Sequence, residues 1–139
     1  MLKTKQILIF LLLLSSCIQK EAVSSQEGTI VVNYSFEGIK KGFNHLTKTE
    51  IYLDHQLAAV SPEHKQSQKN SISITAPKGE HLIEIVNLAN YKGQWERHTK
   101  ENKYNQDCFY EGQINLDKKL IINVLFDLNK GTSVSFRQK

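Results

Sequence analysis

This sequence of 139 residues contains little cysteine, proline or glycine, with two, two and seven residues respectively. So few glycines and prolines exclude a collagen-like or proline-rich chain, and an apolar content of 40% excludes a wholly disordered one. It also lacks a Gly-rich phosphate loop, a Gly-x-Ser-x-Gly elbow and a paired-carboxylate motif. The sequence therefore predicts a single domain that is not an enzyme and that uses no cofactor and no metal.

An excess of charge of one sign is also nearly absent from the body of the chain. Two of the 18 lysines and arginines, Lys3 and Lys5, precede a short apolar run, which leaves 16 basic residues against 14 acidic ones. A balance this even gives no basic surface for DNA or RNA. We therefore expect no nucleic-acid partner.

The first residues have the composition of an export signal. A basic start, Met1 to Lys5, is followed by eight apolar residues from Ile7 to Leu14. This run is too short for a permanent transmembrane helix, which needs about 20 residues. A basic start, a short apolar run and small residues after it are typical of a secretory signal peptide.

The end of this segment, Leu14-Ser15-Ser16-Cys17, resembles the lipobox of bacterial lipoproteins. In that family the cysteine sulfur receives a diacylglyceryl group, the leader is cut before the cysteine, and the new amino terminus is usually acylated. The resemblance implies a leader at 1–16, a lipidated tether at 17–27 with Cys17 in the membrane, and a folded domain at 28–139. Two or three acyl chains hold a small protein firmly, because each buried CH₂ contributes about 0.8 kcal/mol. The alternative is an ordinary signal peptide that ends in a cysteine.

The residues after Cys17 bear on the membrane that it enters. An Asp directly after the cysteine is the inner-membrane retention signal in well-known Gram-negative systems, and Ile18 stands there instead. The following Gln19-Lys20-Glu21 resembles the export tags of surface lipoproteins in some Gram-negative groups. We therefore expect an outer-membrane lipid anchor, with the domain facing either the periplasm or the cell surface.

The body of the chain has the period-2 pattern of β-strands. Apolar and polar residues alternate from Ile30 to Phe36 and, most clearly, from Leu120 to Leu128, while 81–88 is apolar on both faces. Asp54-His55 and 77–80 have the composition of turns. Several short strands without a helical pattern predict an all-β fold, a single antiparallel β-sandwich of about seven to eight strands.

Two segments interrupt this pattern and are predicted to be long connections, at 37–48 and at 94–107. Long ordered loops are often functional. The second contains Trp95, Arg97 and Tyr104, which we predict to contact a partner or ligand, since aromatic side chains and arginine dominate binding energies. The alternative is that Trp95, the only tryptophan, fills the core.

From Thr49 to about Tyr91 the sequence resembles the PEGA-type β-domain of bacterial envelope proteins. The similarity rests on Ile51-Tyr52-Leu53-Asp54, on the strand at 71–76, and on a Pro-x-Gly-x-His turn at 77–81. It departs from that family at His55, where a glycine is expected. The wider outline resembles transthyretin-like envelope lipoproteins. Both resemblances imply a β-sandwich with a binding or structural role.

Three further residues are candidates for chemistry. His81 could be a ligand or base, but a ring bonded to a turn carbonyl is the simpler interpretation. His98 could join Glu96, Asp107 and Cys108 at a metal, although the tight ligand spacing of zinc sites is missing. Cys108 could be a nucleophile with His98 as its base, or a small buried apolar residue without a disulfide partner.

Together these features predict an envelope lipoprotein whose β-sandwich binds a protein partner in an assembly or surface structure. The alternative is a surface lipoprotein that binds a carbohydrate or another small ligand through the aromatic residues of the 94–107 segment. A small envelope enzyme is the third hypothesis.

Overall fold

The computed structural model describes residues 26–139. The predicted leader, Cys17 and most of the predicted tether lie outside the described residues. The described chain forms ten strands and one short 3₁₀ turn at Lys100–Asn102. Within it, no helix is both long enough and apolar enough to cross a bilayer.

The strands form two sheets. The four-stranded sheet has the spatial order β10-β9-β1-β5; these strands are β1 (Glu27–Glu37), β5 (Asn70–Pro77), β9 (Lys119–Asp127) and β10 (Gly131–Gln138). The six-stranded sheet has the order β3-β2-β6-β7, with β4 paired to β2 and β8 paired to β6. Its members are β2 (Leu46–Leu53), β3 (Gln56–Val60), β4 (His64–Lys65), β6 (Gly79–Tyr91), β7 (Gln94–Arg97) and β8 (Phe109–Leu116).

The all-β sandwich is confirmed, because alternation along the strands buries one face of each sheet. In β1 the buried side chains are Ile30, Val32, Tyr34 and Phe36, and β9 contributes its own alternating set from Leu120 to Phe126. Their partners in the six-stranded sheet are centred on β6, where Ile83 and Ile85 are fully buried. Removing these apolar faces from water is the main stabilising contribution to such a fold.

The prediction of seven to eight strands was too low. The strands that it missed are short, with two residues in β4 and four in β7. A segment of this length holds at most two alternations, so period-2 reasoning cannot separate it from a loop.

The sandwich is also not wholly antiparallel. Strands β1 and β9 pair in parallel, with Ile30 opposite Leu120 and Phe36 opposite Phe126. Parallel and antiparallel strands share the same alternation of faces, so the pattern of one strand does not reveal the direction of its neighbour.

Both predicted connections are shorter than expected. Strand β2 begins at Leu46, inside the segment predicted as a loop at 37–48, and β7 occupies the first four residues of the segment at 94–107. Each of these strand segments is rich in polar residues, and it is pairing with β6 that makes them strands.

The hairpin predicted at Asp54-His55 is confirmed and is tied to a second turn. Both residues have positive φ, 50° and 66°, as a tight two-residue hairpin requires. The Asp54 Oδ2 atom lies 2.7 Å from Nδ1 of His81, and Nε2 of His81 lies 2.7 Å from the Pro77 carbonyl oxygen. The predicted bond between His81 and a turn carbonyl is therefore confirmed. Since both partners are acceptors, both ring nitrogens donate.

This contact makes the stability of the sandwich depend on pH. Burial acts to lower the pKa of His81, but the bonds to Asp54 and the Pro77 carbonyl outweigh it and raise that pKa. The bond from His81, followed by the backbone N–H of Leu82, lowers the pKa of Asp54. A raised histidine pKa stabilises the folded state fully at pH values below the unfolded pKa of about 6.5. A lowered Asp pKa stabilises the folded state fully at pH values above the unfolded pKa of about 3.9. The contact between Asp54 and His81 thus contributes most to the free energy of unfolding between these two pH values. Its contribution is lost as the pH rises through the folded pKa of His81.

We expect Asp54→Asn to lower the free energy of unfolding more at about pH 5.5 than at about pH 8.5, because the charged pair exists only at the lower pH. Denaturant unfolding at the two pH values measures this. The matched control is Glu80→Gln, which neutralises an exposed carboxylate next to His81 in the chain that makes no side-chain hydrogen bond or ion pair among the described residues. An equal loss for Asp54→Asn at both pH values would contradict the expectation.

Candidate functional site

Strand β7 separates the three residues predicted as contacts. Trp95 lies opposite Asn90 and Arg97 opposite Leu88, which puts both on the outer face of the six-stranded sheet. Tyr104 lies on the other side of β7, where its hydroxyl donates to Oε1 of Glu96 at 2.8 Å. The three residues therefore belong to two different surfaces.

On the outer face, Trp95 is half-buried, so the alternative that it fills the core is wrong. The Nζ atom of Lys48 lies 4.7 Å from its ring centroid, a cation–π contact. Trp95 is thus packed partly against the outer face and remains partly accessible to solvent.

Tyr104 instead lines a cleft at one end of the sandwich, which we call the end cleft. Its volume is about 460 Å³, within the range of small-molecule sites. Its walls come from the β1–β2 connection, from Gln66 after β4, from the end of β6, from the β7–β8 connection and from Leu128 after β9. Five segments of the chain, from Gly38 to Leu128, therefore converge on it.

Three rings line the inner part of the end cleft. The His98 ring centroid lies 4.2 Å from that of Tyr104 and 5.8 Å from that of His45, and the His45 and Tyr104 centroids are 6.2 Å apart. Behind them, His98 stacks on the core side chain of Phe36 at 6.4 Å. The core thereby fixes the position of the rings.

The inner wall also contains polar atoms that lack partners. Gln66 is only 1% exposed; its Nε2 lies 3.4 Å from Nδ1 of His98, and its Oε1 has no hydrogen-bond partner among residues 26–139. The same holds for the buried Nε2 of His45. Because an unpaired buried polar atom costs about 1–3 kcal/mol, such atoms in the wall of a cleft indicate a place for a hydrogen-bonding molecule.

Other buried polar side chains near the end cleft, unlike Gln66 and His45, have hydrogen-bond partners. The side-chain amide of Asn87 donates to Oγ1 of Thr47 and Thr49, and its oxygen accepts from Thr47 at 2.8 Å. Nδ1 of His64 donates to its neighbour's carbonyl, at Lys65, so its Nε2 accepts from the Tyr34 hydroxyl at 2.8 Å. Of the three buried side-chain atoms without a partner among residues 26–139, two therefore belong to residues that line the end cleft, and the third is Oγ1 of Thr99, next to His98 in the chain.

Both cleft histidines favour the neutral form. Burial lowers the pKa of His98 to about 4, and the nearby His45 adds to this effect. Burial also lowers the pKa of His45, against the raising effect of the Phe43 carbonyl. With its Nδ1 facing the Gln66 amide, neutral His98 carries its proton on Nε2. The His45 ring bonds to the Phe43 carbonyl, and its Nε2 has no partner among the described residues, so Nδ1 donates to that carbonyl and Nε2 is left to accept.

The rim of the end cleft is aromatic. Phe43 is 66% exposed and Tyr91 is 55% exposed, the two highest values for large apolar side chains in the described part of the chain. Phe43 is presented by a turn in which its N–H bonds to the Lys40 carbonyl at 3.0 Å, with Gly42 at φ 86°. Exposed aromatic rings of this kind are typical of sites that bind ring-shaped or apolar surfaces.

The hypotheses of a metal site and of a cysteine nucleophile find no support. No group of three or more His, Cys, Asp or Glu side chains in residues 26–139 could hold a metal ion. Cys108 is free and buried in the core, and burial raises the pKa of its thiol to about 12, with Asp107 adding to the shift. At neutral pH the group is a thiol, which matches the interpretation as a small buried apolar residue.

A larger concavity, of about 870 Å³, lies on the outer face of the four-stranded sheet. Three of its polar side chains bond to each other, with Ser71 donating to Asn33 at 2.8 Å and Asn33 donating to Asn123 at 3.0 Å. These groups need no ligand to satisfy them, so the end cleft is the better candidate.

Sequence reasoning identified Tyr104 but missed His45, Gln66 and the rim residue Phe43. His45 and Phe43 lie in a segment predicted only as a connection, and Gln66 follows a strand of two residues. No motif or periodicity marks these positions, because long-range pairing alone brings them together.

No protein-family model matches the sequence, and no curated protein is significantly similar to it. Among solved structures, pneumolysin is similar with a TM-score of 0.40 and 10% identity, over 83% of this chain and 24% of that one. Suilysin from Streptococcus suis gives 0.38 and 8% identity over 83% and 24%, and the human-specific toxin intermedilysin gives 0.37 and 10% over 83% and 23%. This chain thus spans about a quarter of the length of these toxins. Likeness at this level carries no inference about the chain.

The neutral state of His98 can be measured. We expect its imidazole to titrate near pH 4 in the folded protein, because burial disfavours the charged ring. Between the unfolded value of about 6.5 and that pKa the unfolded state binds more protons, so His98 lowers stability as pH falls through this range. NMR titration, with His98→Gln to assign the signal, gives the value directly. A midpoint near 6.5 would contradict the burial described here.

Proposed function

We propose that this chain is a lipid-anchored, non-enzymatic protein of the bacterial envelope whose β-sandwich binds sugar rings in the end cleft. The observation that carries the binding part is the combination of unpaired buried acceptors on the inner wall with exposed aromatic rings on the rim of one cleft. The anchoring part is supported by the lipobox resemblance at Leu14 to Cys17.

The chemistry of the end cleft suits a sugar. Hydroxyl groups donate hydrogen bonds, which Oε1 of Gln66 and Nε2 of His45 lack among the described residues. A sugar ring also has an apolar C–H face, for which Tyr91 and Phe43 offer aromatic surface. A purely apolar ligand would leave the two acceptors unpaired and would lose the corresponding free energy.

A protein partner is the second candidate, and it is supported by a different surface. The outer face of the six-stranded sheet carries Trp95 and Arg97, and on its edge strand β3 it carries Leu57 and Val60, which are 54% and 44% exposed. Tryptophan and arginine are the residues that most often dominate protein interfaces. In this case the domain would contact its partner side-on and leave the end cleft free.

The sugar proposal is tested by ligand-observed NMR and calorimetry with galactose, glucose and N-acetylglucosamine on the full-length protein in detergent micelles. We expect binding of at least one sugar, and about tenfold weaker binding for Gln66→Leu, since one hydrogen bond to a buried acceptor is lost. Tyr91→Ala, at an exposed position, tests the rim without disturbing the core.

The matched control is Trp95→Ala, which removes an aromatic ring on the outer face of the six-stranded sheet, away from the residues that line the end cleft. It should bind the sugars as the unaltered protein does. Binding that survives both Gln66→Leu and Tyr91→Ala, or that depends on Trp95, would overturn the assignment to the end cleft.

The anchoring proposal predicts that Cys17→Ala releases the protein from membranes, because the acyl chains have no other attachment site. Membrane fractionation before and after a high-salt wash measures this. Cys108→Ala is the matched control, as it removes the other cysteine and should stay in the membrane fraction. Membrane retention of Cys17→Ala, or an intact mass without lipid at that position, would contradict the proposal.

A further inference from the structure

Two lysines stand at the mouth of the end cleft. Lys40 begins the turn that presents Phe43, and Lys103 immediately precedes Tyr104. Lys103 adopts a left-handed conformation, φ 67°, where its N–H closes the 3₁₀ turn onto the Lys100 carbonyl at 2.9 Å. Each lysine is thereby held beside an aromatic residue of the cleft by a local turn.

These charges are not balanced within the end cleft. None of the described residues that line it is Asp or Glu. Glu96, which accepts from the Tyr104 hydroxyl, does not itself line the cleft. Lys65 adds a further positive charge, since its charge helps to lower the pKa of His45. The basic and acidic residues of the chain are nearly balanced overall, so the lysines at the end cleft are a local excess of positive charge.

From this placement we infer that the end cleft takes an acidic sugar, whose hydroxyls face Gln66 and His45 and whose anionic group faces Lys40 and Lys103. The inference rests on the proposed function and deepens it. The two halves of the cleft then match the two halves of one ligand. The inner wall supplies acceptors for hydroxyl donors, and the mouth supplies cations for a carboxylate or phosphate.

The lysines are exposed, so they contribute mainly through charge at the mouth. Exposed charge pairs contribute modestly and are screened by salt. We therefore expect a preference for the acidic sugar of about fivefold, largest at low ionic strength, and not an absolute requirement for it.

The test compares galactose with galacturonate, which differ only at C6, and adds galactose 6-phosphate as a second anion. Binding is measured by calorimetry on the full-length protein in detergent micelles, at low and at high salt. We expect both anions to bind more tightly than galactose, and the difference to shrink at high salt. The tighter of the two identifies the kind of anion that the end cleft prefers.

The variant K40Q/K103Q should bind galacturonate only as tightly as galactose and should keep its affinity for galactose. The matched control K41Q/K100Q removes two neighbouring exposed lysines that do not line the end cleft, and it should keep the preference. Circular dichroism and thermal unfolding check that both variants remain folded.

Equal binding of galactose and both anions would overturn this inference and leave the proposed function standing. So would a preference for the anions that K40Q/K103Q leaves intact. If none of the three sugars bound while the protein was folded, this inference would fail, and the proposed function would fail with it only if glucose and N-acetylglucosamine did not bind either.

Discussion

The structure depends on the position of β1 in the middle of the four-stranded sheet. It pairs antiparallel with β5 and parallel with β9, so its inward side chains lie beside those of both neighbours. Ile30 and Val32 form the centre of the core, and Tyr34 and Phe36 extend it to the end where the cleft lies. Phe36 stacks on His98 and Tyr34 bonds to His64, so one strand connects the apolar core with the polar end.

At the end of a sandwich, polar side chains are buried where no regular ladder of backbone hydrogen bonds between strands satisfies them. Asn87 and His64 meet this constraint through complete hydrogen bonding with their neighbours. Gln66 and His45 do not, although both are held in place by packing and by the backbone bond from Gln66 to the His45 carbonyl at 3.2 Å. A rigid wall with unmet hydrogen-bonding capacity is what a preorganised binding site requires.

Strand β7 gives the domain two separate surfaces from one short segment. Because successive side chains in a strand point to opposite faces, Trp95 and Arg97 face outward, whereas Glu96 faces the side where it holds the Tyr104 hydroxyl. A sugar in the end cleft and a protein on the outer face would therefore not compete for the same side chains. As a loop, the same residues could have formed one continuous patch, and this is why the single contact site expected from sequence becomes two.

The sequence by itself determined the strand character of the body, the hairpin at Asp54-His55 and the bonded state of His81. Each of these follows from local alternation or from turn chemistry within a few residues. Only the tertiary structure decided the parallel pairing of β1 with β9, the strand at Gln94–Arg97 and the meeting of His45, Gln66 and His98. These depend on pairing between segments far apart in the chain, and a period-2 pattern states which face of a strand is apolar without stating which strand will cover it.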